Sequence, residues 1–310
     1  MKPKIFIDGR EGTTGLQIYD RLGSRDDIEL LVIEESKRKD VSERKKLINN
    51  ADLVFLCLPD DAARESVAMI ENDRTRVIDA STAHRTAPGW VYGFPELSKD
   101  QRAKVANGQF VANPGCHATG FIAAVYPLVT QSILPRDYPL TCFSLTGYSG
   151  GGKKMIQEYE EEKTPAMWSP RLYALDLNHK HLPEMLHMTG LTRTPVFCPA
   201  VDDYYCGLSV TIMLHNDMLK GASTAEAIRQ TLAEYYAGER YVTVAPSLHS
   251  GDIHSGAMLE SNWGVGTNIL ELTVSGSEEL TIVTARFDNL GKGASGAAVQ
   301  NMNIMLGFKD

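Results

Sequence analysis

Lys4-Ile5-Phe6-Ile7-Asp8-Gly9-Arg10-Glu11-Gly12-Thr13-Thr14-Gly15-Leu16-Gln17-Ile18 is the stretch that decides the fold. Lys4 to Asp8 has the length and apolar character of a short buried strand, and glycines follow at 9, 12 and 15. Beyond them Leu16, Ile18, Tyr19 and Leu22 recur at helical spacing, so a helix begins where the glycines end. A strand, a glycine turn and a helix leave backbone N–H groups pointing out of the helix N-terminus, and glycine lets an anion approach them. The spacing is G-x-x-G-x-x-G rather than the commoner G-x-G-x-x-G. Gly9, Gly12, Thr13, Thr14 and Gly15 are therefore candidate phosphate contacts, with an unliganded tight turn as the plain alternative.

Outward from this stretch, residues 28–33, 51–58 and 76–79 read as further short strands, and 61–71 has the length and polarity of a helix. This alternation predicts a doubly wound parallel α/β sheet of Rossmann type over residues 1–115. After Cys116 the strand-like segments lie further apart, at 140–148, 194–199, 207–215 and 280–287. Residues 268–274 and 280–287 are expected to form a hairpin around 275–279. A helix over 223–237 sets Ala225, Ile228, Leu232 and Tyr235 on one face, and 294–306 reads as a last helix. This half is an α+β domain with a mixed or antiparallel sheet.

At 310 residues the chain can hold two sub-domains with cores of their own. Its formal net charge of −8 argues against a nucleic-acid partner, since such binders are normally basic. No run approaches the roughly eighteen uncharged apolar residues of a membrane span, and Met1-Lys2-Pro3 leads straight into the first strand. Neither membrane association nor a signal peptide is expected. Cys57, Cys116, Cys142, Cys198 and Cys206 are odd in number and scattered, without a C-x-x-C pair, so no disulfide framework or cysteine-rich metal site is indicated. The cytoplasm is the expected location.

The end of the second strand selects the dinucleotide. Glu34-Glu35 argues for NAD, whereas Ser36, Lys37, Arg38 and Lys39 immediately after supply the hydroxyl and cations that suit NADP. A solvated charged turn is the plain reading of the same run; NADP is the expectation.

Asn113-Pro114-Gly115-Cys116-His117-Ala118-Thr119-Gly120 follows a short strand at 109–112 and precedes an apolar helix. Pro114 and Gly115 make the turn, so Cys116 falls at a helix N-terminus, where the dipole stabilises a thiolate and N–H groups can hold an oxyanion. The other four cysteines read as small buried hydrophobes, and composition alone leaves the same plain reading open for Cys116. A general acid/base is then needed, and histidine suits it. His179 and His181 stand two apart, and in an extended segment both point to one face. His181 is the expected acid/base and His179 a substrate contact, with the reversed assignment open; the His117 side chain is expected to point away. No third ligand at a recognisable spacing accompanies the pair, so no metal is expected. Arg85 and Lys153 are candidate anion contacts, or ordinary surface cations.

The run NPGCHATG resembles the active-site segment of the N-acetyl-γ-glutamyl-phosphate reductases of arginine biosynthesis, whose wider relatives include aspartate-semialdehyde dehydrogenase. Other stretches resemble the same family in the same order: Ile7 to Gly15, Asp79 to Arg85, Tyr92 to Leu97, Gly147 to Lys153, His179 to Glu184 and Asp288 to Asn301. Together they cover residues 5–305. Length and the wording IDGREGTTGLQI are similar to the shorter of two subfamilies. The chain departs from the longer one at Glu11-Gly12-Thr13-Thr14 and in ending the glycine turn Gly150-Gly151-Gly152 with Lys153.

The resemblance implies a Rossmann-type NADP-binding domain over 1–115, with the segment 288–310 packing back on it. It further implies an α+β catalytic and dimerisation domain of the semialdehyde-dehydrogenase type over 116–287. It implies a homodimer or homotetramer that reduces a small acyl phosphate with NADP(H) through a thioester on Cys116. Leu58, Pro59, Ser81, Ser149, Gly150, Gly151 and Asn289 join Ser36, Lys37, Arg38 and the glycine loop as cofactor contacts. Glu184 joins Arg85, His179 and Lys153 as substrate contacts. The rival readings are an aspartate-semialdehyde dehydrogenase, against which the His-x-His-x-Pro-Glu stretch argues, and a silent NADP-binding regulator, which the presence of Cys116, His181 and Arg85 disfavours. A metal-dependent hydrolase finds no ligand cluster to support it.

Overall fold

The computed structural model describes residues 2–221, 224–246 and 258–309. The chain folds as two compact units, Met1–Gly115 with Ala294–Asp310, and Cys116–Gly293.

The first unit contains β1 (Lys4–Asp8), α1 (Thr13–Leu22), β2 (Glu29–Leu31), α2 (Val41–Asn50), β3 (Leu53–Leu56), α3 (Asp60–Ala68), β4 (Arg76–Asp79), β5 (Val91–Tyr92), α4 (Gln101–Asn107) and β6 (Phe110–Ala112). The second contains α5 (Cys116–Thr130), β7 (Thr141–Gly147), α6 (Gly152–Glu160), β8 (Arg171–Leu172), α7 (Leu182–Thr189), β9 (Val196–Asp202), β10 (Leu208–His215), α8 (Ala225–Tyr235), β11 (Val242–Val244), β12 (Leu270–Gly276) and β13 (Leu280–Phe287). A last helix, α9 (Gly296–Leu306), belongs to the first unit.

In the first unit six parallel strands run in the order β2-β1-β3-β4-β6-β5. The pleat sends alternate residues to opposite faces. Ile5, Ile7, Leu53 and Phe55 pack with Ile18 and Leu22 of α1, Val105 of α4 and Met302 of α9. Phe6, Val54, Leu56 and Val77 pack with Ile48 of α2 and Ala63 of α3. Each such fully buried side chain contributes about 1.5–3 kcal/mol, so packing rather than intrinsic propensity holds the short helices. The chain crosses from β2 over β1 to β3, which makes the C-terminal ends of β1 and β3 the point where strand order reverses and where α/β sheets bind ligands.

The second unit is a seven-stranded mixed sheet in the order β11-β12-β13-β10-β7-β9-β8. β12 and β13 form the expected hairpin, with Gly276 opposite Thr281. The apolar helix α5 lies close on β10 and β13: a Cβ at Gly120 would stand 2.7 Å from Val210 Cγ2 and 2.9 Å from Phe287 Cε1.

Several details differ from the sequence reading, among them the following. Ser223 lies outside the described residues, and α8 begins after Thr224, whose hydroxyl caps it by accepting from Ala227 N–H at 3.2 Å. Ile228 and Leu232 are buried as expected, but Tyr236 rather than Tyr235 turns inward, because its hydroxyl donates to the Ala123 carbonyl at 2.9 Å. The strand expected at 194–199 starts at Val196 and runs on through Pro199 to Asp202, paired with β7 and β8.

Candidate functional site

In the first unit the glycine loop connects β1 to α1. Gly9 has φ +86°, and a Cβ there would lie 2.3 Å from the Cys57 carbonyl oxygen; one at Gly15 would lie 2.5 Å from the Gly9 carbonyl. Both close approaches exclude any side chain. Gly12 caps α1 without a side-chain bond. The Thr13 hydroxyl and the Arg10 Nε are buried without a hydrogen-bond partner. Buried polar groups normally have partners, so these donors fit an anionic ligand such as the phosphates of a dinucleotide.

The loop opens on a cavity of about 650 Å³ at the strand-order reversal, lined among others by Gly9, Arg10, Tyr19, Arg38, Lys39 and Leu58. Arg10 stacks over Tyr19, 3.6 Å from its ring centroid. Leu58 follows β3, and Pro59 caps α3. Residues 35–37 form a 3-10 turn in which acids and cations pair: Lys37 with Glu34 at 3.2 Å and Arg38 with Glu35 at 2.8 Å. Ser36 and Lys37 stand outside the cavity lining. Asp8, at the end of β1, is buried and held by Arg44 at 2.8 Å and by the Ser66 hydroxyl at 2.8 Å. The sequence reading passed over Arg10 and Arg44, whose roles appear only when β1, α1 and α2 assemble.

At the end of β4, Asp79 accepts from Ser81 N–H at 2.9 Å and Ser81 Oγ at 2.7 Å, and it contacts His84 Nδ1 at 2.6 Å. Arg85 is buried, with Nε donating to the Asn113 carbonyl at 3.0 Å and Nη2 to the Ala80 carbonyl at 3.1 Å. It therefore ties together the segments leaving β4 and β6, a use that an anion contact does not require.

In the second unit Cys116 is the first residue of α5, half-buried, at the positive end of the helix dipole. A Cβ on Gly293 would meet Cys116 Cβ at 2.9 Å, so the backbone there presses on the cysteine. The segment 179–181 is a turn entering α7, not an extended strand: Leu182 N–H donates to the His179 carbonyl and His181 caps the helix. The two imidazoles nevertheless meet edge to face, with centroids 4.7 Å apart. His181 N–H donates to His179 Nδ1 at 3.1 Å, which leaves the proton of a neutral His179 on Nε2.

His117 does not point away, as expected from sequence, but packs 5.4 Å from His179 and 5.6 Å from His181 between ring centroids. Its Nδ1 contacts Ser144 Oγ at 2.8 Å and its Nε2 the Tyr173 hydroxyl at 2.7 Å. Burial, helped by His179 and Lys180, pushes its pKa down to about 3. Burial also raises the Tyr173 phenol, and a negative charge on Cys116 would add to the effect. Glu184 is buried in the first turn of α7.

Gly150, Gly151 and Lys153 are exposed around the start of α6. Ser149 is buried, and its hydroxyl accepts from Asn289 Nδ2 at 3.0 Å while Asn289 Oδ1 accepts from Gly207 N–H at 2.8 Å. Asn289 thus clamps two loops. Lys292, one residue before Gly293, is 1% exposed, and no role for it was read from the sequence. Of the remaining cysteines Cys142 alone is buried, whereas Cys57, Cys198 and Cys206, expected from sequence to be buried, are half-buried. Burial raises the thiols of Cys57 and Cys142 and pushes Cys206 up to about 11, which makes all three poor nucleophiles. Among the described residues no group of three His, Cys, Asp or Glu side chains could hold a metal, and no helix is long and apolar enough to cross a membrane.

The chain matches two family models: the semialdehyde dehydrogenase NAD-binding domain over residues 4–105 and the semialdehyde dehydrogenase dimerisation domain over 116–289. N-acetyl-gamma-glutamyl-phosphate reductase 2 of Nostoc sp. is 51% identical, over 100% of this chain and 98% of its own length. Reductase 2 of Pseudomonas putida is 47% identical, over 98% and 97%. Among solved structures, aspartate semialdehyde dehydrogenase II of Vibrio cholerae shares the fold at TM-score 0.74 with 14% identity, over 99% of this chain and 98% of that one. The Candida albicans enzyme, solved with NADP, does so at TM-score 0.67 with 15% identity, over 99% of each chain. With half its residues identical along its whole length, this chain belongs to the N-acetyl-γ-glutamyl-phosphate reductases of the semialdehyde dehydrogenase family.

Proposed function

We propose that the chain reduces N-acetyl-L-glutamyl 5-phosphate to N-acetyl-L-glutamate 5-semialdehyde and phosphate, with NADPH as reductant and Cys116 as nucleophile. The observation that carries this reading is the half-buried Cys116 at the head of α5, in the same unit as the packed His117, His179 and His181. His181 takes the thiol proton, and the sulfur attacks the acyl carbon. N–H groups of the first turn of α5 hold the oxyanion as phosphate leaves, giving a thioester. Bound NADPH supplies the hydride. His181 then steadies the thiohemiacetal oxygen, and collapse releases the aldehyde and returns the proton to sulfur. His179, with its Nε2–H, and Glu184, Arg85 and Lys153 are the proposed substrate contacts.

Gly9, Gly12, Thr13, Thr14, Gly15, Leu58, Pro59, Ser81, Ser149, Gly150, Gly151 and Asn289 are the proposed cofactor contacts, with Arg10 added to Ser36, Lys37 and Arg38 at the 2′-phosphate end. The division at 115/116 then separates a cofactor-binding domain from a catalytic one. Assembly as a homodimer or homotetramer is proposed through the outer face of the mixed sheet, where Val196 of β9, Thr141 of β7, Met213 of β10 and Ile282 of β13 form one exposed row across four neighbouring strands. The cytoplasm is the proposed location. The test is phosphate-dependent reduction of NADP by purified protein, with N-acetylglutamate semialdehyde and aspartate semialdehyde compared. Turnover of the first alone supports the reading, and turnover of the second alone moves the substrate.

A further inference from the structure

We propose that Arg171 of β8 binds the α-carboxylate of the acyl substrate, at the end of the molecule away from the reacting carbon. Its placement follows from the register of the mixed sheet. Residues paired directly across strands share a face, and side chains alternate faces along each strand. Cys142, Ser144 and Thr146 of β7 stand opposite Phe197, Pro199 and Val201 of β9. β8 continues this row, with Arg171 opposite Val201. Tyr173 keeps the register beyond β8, its N–H donating to the Pro199 carbonyl at 3.1 Å. Arg171 and Tyr173 therefore lie on one face, while Leu172 between them is turned to solvent. The three histidines pack on that same face. Ser144 Oγ lies 2.8 Å from His117 Nδ1, and the Tyr173 hydroxyl 2.7 Å from His117 Nε2. The Phe197 ring centroid is 5.4 Å from that of His117 and 5.2 Å from that of His179, and His181 packs 4.7 Å from His179.

What Arg171 lacks is an acid. Its Nε and Nη2 donate to the Tyr159 hydroxyl at 3.1 and 2.9 Å, and no carboxylate pairs with it among the described residues. Arg286, half-buried on the same sheet, shows the usual arrangement, with Glu271 at 2.7 Å and Glu260 at 3.5 Å. Tyr159 is 3% exposed and stacks on Tyr148 with ring centroids 4.7 Å apart. Packing thus fixes the anchor, and a neutral phenol holds the guanidinium without cancelling its charge. The Nη1 edge stays outside this contact and matches a carboxylate in bidentate fashion. A half-buried cation is costly until an anion pairs with it. Two residues of extended chain span about 6–7 Å, so Arg171 stands that far along the strand from Tyr173, which meets the residue after Cys116. An acyl chain held at Cys116 by its reacting carbon carries the α-carboxylate at its far end, whereas the phosphate sits on the reacting carbon itself. The offset suits the carboxylate. This deepens the proposed function and rests on Cys116 being the nucleophile for that substrate.

The test compares oxidation of N-acetylglutamate semialdehyde with that of 4-acetamidobutanal, the same aldehyde without its α-carboxylate, by the full-length protein. In Arg171→Met the ratio of the two kcat/KM values falls by about tenfold or more, the worth of a hydrogen bond between charged groups. The loss appears in KM for the carboxylated aldehyde more than in kcat, as uniform binding requires. Arg171→Lys, which keeps the charge without the fork, lies between wild type and Arg171→Met. Tyr159→Phe, which removes the anchor, lowers the ratio less, and these two variants decide the matter should Arg171→Met not fold. A ratio within about twofold of wild type in folded Arg171→Met, or a rise confined to KM for inorganic phosphate, overturns the proposal. A second readout needs no turnover: protection of Cys116 from iodoacetamide by N-acetyl-L-glutamate and by 4-acetamidobutanoate, followed by mass spectrometry. Wild type is protected at lower concentrations of the first, and Arg171→Met narrows the gap. Equal protection of wild type by the two overturns the proposal, whereas a gap in a protein that oxidises neither aldehyde is a failure of the proposed function alone.

Discussion

Gly293→Ala tests how tightly the second unit positions its cysteine. The added methyl would lie 2.9 Å from Cys116 Cβ, 3.2 Å from Phe287 Cε2 and 3.3 Å from the Asp288 carbonyl oxygen. Non-bonded carbons prefer about 3.5–4.0 Å, so the first contact must open by roughly 0.6–1 Å. Phe287 and the Asp288 backbone block retreat on the other sides, and the displacement falls on the start of α5. Overpacking of this kind costs about 1–3 kcal/mol, which lowers Tm by a few degrees at about 2–4 °C per kcal/mol. The catalytic effect is larger, because about 1 Å of misplacement at a reacting atom costs on the order of 10²-fold in rate. Thermal melts and kcat/KM for semialdehyde oxidation at 25 °C, well below Tm, measure the two effects separately. A variant within twofold of wild-type kcat/KM, whatever its Tm, would refute the claim that the Gly293 backbone sets the position of the thiol.

Other outcomes follow from the same structure. Cys116→Ser abolishes turnover and leaves NADPH binding by fluorescence titration nearly unchanged; parallel loss of both points to a damaged fold instead. Arg10→Ala weakens NADPH binding by about tenfold or more, the worth of a hydrogen bond to a charged group, and affects NADH less; equal losses for the two cofactors would place Arg10 elsewhere. His117 has its folded pKa depressed from 6.5 to about 3, so its stabilising contribution is complete above 6.5 and declines as pH falls from 6.5 towards 3. The slope is about 1.4 kcal/mol per pH unit. A His117→Gln variant therefore shows a flatter dependence of Tm on pH across that window, and an unchanged slope counts against it.

The glycine loop and the NPGC turn were legible in the sequence because their chemistry is local. A strand, a tight turn and a helix N-terminus are each set by neighbouring residues, and Lys4–Asp8, Arg76–Asp79 and Leu280–Phe287 run as their patterns indicate. The helix α2 was missed because only Arg44 and Ile48 of its ten residues are buried, which leaves a charged surface with little periodicity; its Asp40 cap is the local signal that could have found it. His117 was misjudged because the sequence shows only its adjacency to Cys116. Its partners Ser144 and Tyr173 come from β7 and from the loop after β8, and nothing short of the assembled sheet brings them together. The pairing of Glu34 with Lys37 and of Glu35 with Arg38 was not legible for a related reason, since spacing does not reveal that the segment after β2 turns back on itself. Asn289 and Lys292 lie in a motif that resemblance singled out, but the loop clamp of one and the burial of the other are tertiary facts.

The most direct measurement is to mix the enzyme with N-acetyl-L-glutamyl 5-phosphate in the absence of NADPH and quench it. The expected result is one equivalent of phosphate released per active site and an N-acetylglutamyl group on the peptide carrying Cys116, discharged as aldehyde when NADPH is added. Phosphate release without a labelled Cys116, or a label on any other residue, would contradict it.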